Sequence, residues 1–321
     1  MIAAWDWDLP RESDAQEREI VEFASACGFD TLILSNPTTS MVDRAHELHV
    51  DVIDIIDGRA DETTATEHPA LLQQVLPVEE TICNYIEEDS LDQYQSLSHR
   101  WFPIVHPGSW LCVANPTARE LLKSRIDDAL EIADGVAFDG IGFRNQYACF
   151  CSHCIDERCA EHPPAPDDHE IIGAHAEQSL VDATSDLFEH AKAIKSDAIV
   201  TNHVWPPLRP NPWYGYRLPL DYCSQTISWF YNPSWPLSRV EFEAMEHARR
   251  AGEANEFVPF IGLFDEPHLR RPVERVRREI EIALDHGEGN LVFSTLAVPR
   301  RHATYRDMIK TVLNRTSSHD G

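Results

Sequence analysis

Three cysteines stand close together in the run Cys149-Phe-Cys151-Ser-His-Cys154. This C-x-C-x2-C spacing lets three thiolates converge on one soft divalent ion, and tetrahedral zinc takes a fourth ligand. Cys159 is near in sequence, but Cys112 precedes a helix that should start beside the same loop, so we expect Cys112 to complete the set. Ligation by four sulfurs leaves no open position, which predicts a structural zinc. Four unligated thiols are the alternative, although cysteines this dense on a loop rarely fill a core.

Polar and aromatic residues follow the apolar runs that we predict to be strands. Aromatic rings beside carboxylates and amides suit a carbohydrate, because its C–H faces stack on rings while its hydroxyls form hydrogen bonds. The sequence contains neither a phosphate-binding glycine loop nor a G-x-S-x-G nucleophile motif. The residues that we predict to bind such a substrate are Asp57, Arg144, Asn145, Asn202, His203, Trp229, Tyr231 and Asp265.

The elements that must position these residues alternate between short apolar runs and amphipathic helical patterns, which is typical of a parallel sheet. Ser13 with Gln16 predicts a helix start, Gly28 predicts its end, and Asn115-Pro116 predicts another start. Eight strand and helix pairs in 321 residues favour one α/β domain, a (β/α)8 TIM barrel over residues 1–321. The predicted strands are residues 2–5, 31–34, 52–56, 136–143, 199–204, 225–231, 257–264 and 291–296.

The regular alternation is interrupted by a long insertion, residues 58–110, between the third strand and the third helix. It contains a predicted helical stretch at residues 71–97. A connection this long is usually functional, and after a barrel strand it must lie over the C-terminal face. We therefore predict that it caps the barrel mouth, beside a cysteine-rich loop at residues 145–170.

The sequence around the cysteines resembles glycoside-hydrolase-like barrels, in which a strand ending in Asp-Gly-Ile leads into a C-x-C-x2-C loop. The resemblance rests on the run Phe138-Asp139-Gly140-Ile141-Gly142-Phe143-Arg144 before the cysteines, and on Trp110-Leu111-Cys112 and Asn115-Pro116 upstream. Zinc-containing microbial β-galactosidases are similar and have an upstream cysteine as fourth ligand. The similarity in sequence covers residues 110–160. The rest of the chain is similar only in its alternation of predicted strands and helices. It implies a hydrolase that acts on a carbohydrate and carries a structural zinc.

Glycoside cleavage requires two carboxyl groups that flank the scissile bond. The resemblance implies Glu266, at the end of the seventh strand, as nucleophile or base. The partner acid is expected after the fourth strand, where this sequence has Arg144-Asn145 instead, and we interpret Asp139 within that strand as structural. The second carboxyl group must then be Asp6, Asp8 or Asp57, and we assign the acid to Asp6 or Asp8.

Two other functions remain open. A sugar-isomerase type of barrel would hold a catalytic divalent ion with Asp57, His203 and Glu266. A degenerate barrel would only bind a sugar or a protein partner, and the missing acid after the fourth strand favours it.

The composition limits the class of partner and the compartment. Asp and Glu number 54 against 27 Lys and Arg, which gives a net charge of −27. Such a surface repels nucleic acid and anionic membranes, and it is typical of a high-salt cytoplasm. The sequence contains no apolar run of the roughly 18 residues that a membrane span needs. Clustered cysteines indicate a reducing compartment, and the oligomeric state, including a homo-oligomer, stays open.

Overall fold

The computed structural model describes residues 1–7, 9, 11, 13–74, 110–143, 148–161, 169–204, 214–228, 235–252, 254–265, 267 and 269–316. Eight parallel strands, β1 to β8, form a closed barrel in chain order, and β8 pairs with β1. The predicted (β/α)8 TIM barrel is therefore confirmed. The strands are β1 Ile2–Asp6, β2 Thr31–Leu34, β3 Asp51–Asp57, β4 Gly135–Asp139, β5 Ile199–Val204, β6 Tyr222–Ser228, β7 Glu256–Gly262 and β8 Leu291–Ser294.

Helices connect the strands on the outside of the barrel. The longest described helix, α6, has an inner face that packs with α4 against the outer side of β4 and β5. The described helices are α1 Asp14–Cys27, α2 Thr39–Glu47, α3 Glu62–Glu67, α4 Pro116–Leu130, α5 Ser152–Glu161, α6 His169–Ile194, α7 Leu237–Arg250, α8 Val273–His286, α9 Ala297–Arg301 and α10 Ala303–Thr316. Short 3-10 turns lie at Pro69–Leu71 and Tyr214–Arg217.

The predicted helix ends are confirmed. The Ser13 hydroxyl accepts the backbone N–H of Gln16 at the start of α1, and Gly28 ends that helix with φ 94°. The Asn115 side chain accepts the backbone N–H of Thr117, and Pro116 occupies the first turn of α4. None of the helices in the described part of the chain is long and apolar enough to cross a membrane.

Side chains alternate in direction along each strand, which separates residues inside the barrel from residues that pack against the outer helices. Phe138 and Val136 of β4 point outward and pack with α4 and α6, whereas Ala137 points inward. Successive residues in a strand face opposite sides, so Asp139 points into the barrel. The carboxyl ends of the strands therefore bring polar inward residues together at one mouth.

The fourth strand is shorter than predicted. It ends at Asp139, because Gly140 adopts φ 64° and turns the chain out of the strand, whereas the apolar pattern predicted a strand to Phe143. Asp139 consequently stands at the strand end and not within it. The sixth strand begins at Tyr222 and the seventh ends at Gly262, so both are shifted toward the N-terminus relative to the prediction.

The two described ends of the long insertion pair with each other. Arg59 pairs with Trp110 and Leu72 pairs with Leu111 in isolated antiparallel bridges. The backbone N–H of Leu111 also donates to the carbonyl oxygen of Gly58 over 3.0 Å. The insertion thus leaves and returns beside the carboxyl end of β3. Most of the predicted helical stretch, residues 75–97, lies outside the described residues, and the predicted cap stays a prediction.

Candidate functional site

Three polar side chains form a row across neighbouring strands at the barrel mouth. Asp57 of β3 is in register with Asp139 of β4, which is in register with His203 of β5. Paired positions of parallel strands face the same side, so all three side chains point into the barrel. The row joins two residues that were predicted to bind substrate, Asp57 and His203, to an aspartate that was interpreted as structural.

Asp139 is a nearly enclosed carboxyl group, with an exposed fraction of 6%. The indole Nε1–H of Trp7 donates to its Oδ2 atom over 2.6 Å. Among the described residues, no donor lies within hydrogen-bond distance of its Oδ1 atom, and Nδ1 of His203 is 3.6 Å away. A carboxylate in this setting is held in place and faces a further polar group at close range.

His203 is completely buried among aromatic rings. Its ring stacks on Phe260 with 3.7 Å between centroids, and Trp5 and Trp7 pack around it. Burial lowers the pKa of His203 against the opposing effect of Asp139, so the ring is neutral at pH 7. Nε2 lies 2.9 Å from the Thr226 hydroxyl. The Thr226 hydroxyl donates in turn to the carbonyl oxygen of Val204 over 3.3 Å.

Asp57 is the most accessible member of the row, with 44% of its side chain exposed. Its Oδ1 atom accepts the backbone N–H of Arg59 over 2.8 Å. Burial and the nearby charge of Asp139 raise the pKa of Asp57 to about 6, against the opposing charges of Arg59 and Arg125. A carboxyl group with this pKa can exchange a proton near neutral pH, which is what acid–base catalysis requires.

The other predicted residues within the described part of the chain form hydrogen bonds with residues outside this row. Asp6 is 5% exposed and accepts a hydrogen bond from the Thr295 hydroxyl after β8. Asn202 occupies the outward-facing position next to His203, and its Oδ1 atom accepts the backbone N–H of Ser224 over 3.1 Å. Each of these hydrogen bonds joins neighbouring segments of the barrel, and the predicted roles of Asp6 and Asn202 stay predictions.

Asp265, after β7, is enclosed by cations. Arg270 and Arg301 donate to its carboxylate over 3.0 and 2.8 Å, and Nε2 of His302 lies 2.6 Å from it. Burial alone would raise the pKa of Asp265, but the hydrogen bonds from Arg301, His302 and Arg270 lower it below its ordinary value. Asp265 is therefore an ionised partner of this cluster.

Six of the predicted site residues lie outside the described residues, and their roles stay predictions. They are Asp8, Arg144, Asn145, Trp229, Tyr231 and Glu266.

The predicted cysteine cluster is present. The thiol sulfurs of Cys112, Cys149, Cys151 and Cys154 all lie within 4.8 Å of one another, and each residue is at most 1% exposed. The sulfur of Cys112 is 3.4 Å from that of Cys154 and 3.7 Å from that of Cys151. These separations are close to the distance between two sulfurs of a tetrahedral zinc site whose zinc–sulfur bonds are about 2.3 Å long. The fourth member is Cys112, as predicted, and not Cys159.

The contacts within the cluster divide the four thiols into two pairs with opposite pKa shifts. The backbone N–H groups of Gln74 and Cys151 both point at the sulfur of Cys149, over 3.4 Å each. Hydrogen bonds from neighbouring thiols lower the pKa of Cys149 and Cys151, while the same bonds raise the pKa of Cys112 and Cys154. Four buried soft donors of this kind fit a metal ion. Across the described ranges, they are the only such group of three or more metal-ligating side chains.

The cysteine cluster adjoins the barrel mouth through Trp110. The ring of Trp110 lies against Gly140 so closely that a Cβ atom there would be 1.8 Å from the ring, and it also contacts Gly58. Gln73 donates to the carbonyl oxygens of Leu111 and Gly142 beneath it. The segment that carries Cys112 is thus packed directly on the turn that follows Asp139.

Sequence reasoning did not single out Trp7 and Thr226, and it placed Asp139 within the fourth strand, as a structural residue, rather than at the strand end. The usable signal for Asp139 is the glycine that follows it, because a glycine after an apolar run can end a strand. No local pattern distinguishes Trp7 or Thr226, since their partners are distant in sequence.

No protein-family model matches this sequence, and no curated protein matches it significantly. Solved structures share its fold. The glycoside hydrolase domain of PgaB (BpsB) from Bordetella bronchiseptica matches 97% of this chain and 98% of that chain, with a TM-score of 0.71 and 9% identity. α-L-Fucosidase isoenzyme 2 from Paenibacillus thiaminolyticus matches 100% of this chain, with a TM-score of 0.63 and 16% identity. The glycoside hydrolase domain of PelA from Pseudomonas aeruginosa matches 92%, with a TM-score of 0.52 and 11% identity.

These similarities establish a fold that is shared with glycoside hydrolase barrels. The chain spans 50% of the length of the fucosidase. At identities of 9–16%, the shared feature is the closed barrel and not a set of catalytic residues.

Proposed function

We propose that this barrel hydrolyses a glycosidic bond of a carbohydrate at its C-terminal mouth. The observation that carries the proposal is the inward row of Asp57, Asp139 and His203, with Trp7 against it. Carboxyl groups beside aromatic rings at the carboxyl ends of barrel strands suit a sugar in shape and in chemistry. The fold shared with glycoside hydrolases supports the same reaction class.

The roles follow from the need for two carboxyl groups. Glu266, after β7, is proposed as nucleophile or base. Of the proposed acids, Asp6 is engaged with Thr295 and nearly buried, which leaves Asp8 and Asp57 as better candidates. Arg144, Asn145, Trp229 and Tyr231 are proposed to bind the substrate.

The four clustered cysteines are proposed to hold a structural zinc. A bound zinc would supply cross-links, and with all four positions taken by sulfur it would not activate water. Cys112 lies two residues after the end of the insertion, while the other three ligands belong to the segment after β4. The site would therefore hold the insertion against the fourth-strand loop.

Metal analysis tests this site. We expect one zinc per chain in the wild type, and a Cys154→Ser variant should lose most of it and unfold at lower temperature. Cys159→Ser is the matched control, because Cys159 lies outside the group, and it should keep the full zinc content. Equal zinc content in wild type and Cys154→Ser would exclude the proposed ligand set.

A screen of the purified protein against a panel of aryl glycosides, in molar salt, tests the hydrolase. We expect turnover of at least one glycoside, with a loss of about 10²–10⁴-fold in a Glu266→Gln variant. Glu288→Gln is the control, since Glu288 is exposed in the loop before β8, at the opposite end of the barrel. Equal activity of wild type and Glu266→Gln would remove Glu266 from the mechanism.

A second candidate is a barrel that binds a sugar without cleaving it. The observation that favours it is Arg144-Asn145 after β4, where the resemblance implies an acid. A folded, zinc-loaded protein that turns over no glycoside but retains oligosaccharides on an array would establish this function in place of hydrolysis.

A further inference from the structure

We propose that Asp57 is the general acid of this barrel and that Asp139 is a positioning residue, whose buried carboxylate keeps the proton on Asp57. This inference rests on the proposed hydrolase function. It assigns the second carboxyl group that hydrolysis requires to β3.

The two aspartates differ in the exposed fraction of their side chains. The side chain of Asp57 is 44% exposed, whereas that of Asp139 is 8% exposed, and the Oδ1 atom of Asp139 is fully buried. The two residues are register partners on adjacent strands, which lie about 4.8 Å apart. Asp57 is therefore the more accessible of the two carboxyl groups, and Asp139 lies directly beside it.

The contacts of Asp139 fix the position of its carboxyl group. The indole N–H of Trp7 can only donate, so the Oδ2 atom that it contacts at 2.6 Å is an acceptor. His203, on the other side, carries its Nδ1 atom 3.6 Å from Oδ1. The Asp139 carboxyl group is thus held between Trp7 and His203, beside its register partner Asp57.

The charges around Asp57 come from three elements. Asp139 faces it from β4, and Arg59 follows it in the chain, with Nε 3.8 Å from its Oδ2 atom. Arg125 of α4 donates to the main-chain carbonyl oxygen of Asp57 over 2.6 Å and brings a second positive charge. Burial and Asp139 outweigh these two arginines, and the pKa of Asp57 is raised to about 6. Asp57 therefore carries a proton in weakly acidic solution, as a general acid must.

The chemical step uses that proton. As the bond between the anomeric carbon and the glycosidic oxygen breaks, the electron pair goes to the oxygen, which takes the proton from Asp57 and leaves as an alcohol. The anomeric carbon is attacked by Glu266 or by a water molecule that Glu266 deprotonates. One water molecule is consumed in all: its oxygen and one hydrogen end on the anomeric carbon, and its other proton returns to Asp57, directly when Glu266 is the nucleophile and by way of Glu266 when Glu266 is the base.

Direct titration tests the electrostatic part without any substrate. In protein labelled with 13C at the aspartate carboxyl groups, the Asp57 signal, assigned by its loss in Asp57→Asn, should titrate near pH 6. In Asp139→Asn, whose amide oxygen can still accept from Trp7, this midpoint should fall by at least about half a pH unit. Asp54→Asn is the matched control, since Asp54 lies on the outer face of the same strand, and it should leave the Asp57 midpoint in place. An unchanged midpoint in Asp139→Asn would overturn the role of Asp139.

Kinetics on a glycoside found in the screen test the acid role. Asp57→Asn should lose about 10²–10⁴-fold of kcat/KM for a glycoside with a sugar leaving group, but under about tenfold for a dinitrophenyl leaving group, which departs without protonation. In Asp139→Asn the alkaline limb of the pH profile should move to lower pH. Equal losses of Asp57→Asn on both substrates would overturn the acid role while leaving hydrolysis intact. Absence of turnover in the wild type would instead reject the hydrolase and the acid role together, and the titration would still decide whether Asp139 controls Asp57.

Discussion

Asp54 and Asp57 stand on opposite faces of β3, and burial raises the pKa of both carboxyl groups to about 6. The two carboxyl groups have different surroundings. Asp54 faces outward, and its Oδ1 atom accepts the backbone N–H of Asn36 over 2.7 Å, which joins β3 to the end of β2. Asp57 faces the mouth, where a raised pKa has a chemical use. The raised pKa thus accompanies a structural contact at Asp54 and the proposed acid role at Asp57.

We predict that Asp54→Asn stabilises the protein at alkaline pH. The folded pKa of Asp54 is raised above its ordinary value of 3.8, so its contribution to stability is fully present below about pH 3.8 and is lost as the pH rises through about 6. Two pH units correspond to about 3 kcal/mol, which partial solvent screening reduces to about 1–2 kcal/mol.

Urea unfolding at pH 4 and pH 8 measures this effect. The unfolding free energy of Asp54→Asn should exceed that of the wild type at pH 8 and equal it near pH 4. Asp43→Asn, an exposed change on α2, should stay within about 0.5 kcal/mol of the wild type at both values. A destabilised Asp54→Asn at pH 8 would contradict the prediction, because it would mean that the charged form is favoured by folding.

At the scale of elements, the turn after β4 connects the mouth to the cysteine cluster. Gly140 has φ 64° and contacts the ring of Trp110. Trp110 is two residues before Cys112 in the chain. Any side chain at this position would move either the turn that follows Asp139 or the segment that carries Cys112. The position of Asp139 therefore depends on the packing of the insertion.

We predict that Gly140→Ala destabilises the protein by about 2–5 kcal/mol, because an alanine there is strained in the left-handed region and collides with Trp110. Gly173→Ala is the control. Gly173 lies within α6, and a Cβ atom added there would have no atom from outside its own helix turn within 4 Å. This change should therefore stabilise the helix by about 0.5–1 kcal/mol. Thermal unfolding of both variants measures the contrast. A Gly140→Ala protein as stable as the wild type would show that Trp110 does not pack against this turn in solution.

At the scale of the whole molecule, self-repulsion of a net charge of −27 opposes the compact state. Ions in the solvent screen this repulsion, since the Debye length falls from about 10 Å at 0.1 M salt to about 3 Å at 1 M. The large acidic excess is then tolerated in concentrated salt, which is the environment that we propose for the protein.

We predict that the melting temperature rises by several degrees between about 0.1 M and 2 M KCl, as screening removes the repulsion. A variant with three exposed acids replaced by their amides, Glu131→Gln, Asp197→Asn and Glu241→Gln, should start from a higher melting temperature and rise less. Calorimetry at a series of salt concentrations compares the two proteins. Identical salt dependence would mean that screening of surface charge is not the cause.

Much of the fold followed from local patterns. The alternation of short apolar runs with amphipathic helical patterns was sufficient to predict the barrel. Buried residues recur with the period of the strand or of the helix, and this period can be read from neighbouring residues. Ser13, Gly28 and Asn115 marked helix ends for a similarly local reason. The strand end at Asp139 was missed, because the apolar residues continue beyond it and only the left-handed Gly140 interrupts the strand.

The sequence by itself determined that this protein is a (β/α)8 barrel with a four-cysteine cluster, since periodicity and close cysteine spacing are properties of neighbouring residues. Only the tertiary structure decided which polar residues share the mouth. Strand register brings Asp57, Asp139 and His203 side by side, and the packing of β5 decides that His203, and not its neighbour Asn202, faces the inside of the barrel. Barrel closure then brings Trp7 of the first strand's end onto Asp139, and no short-range pattern encodes that contact, because it depends on how all eight strands meet.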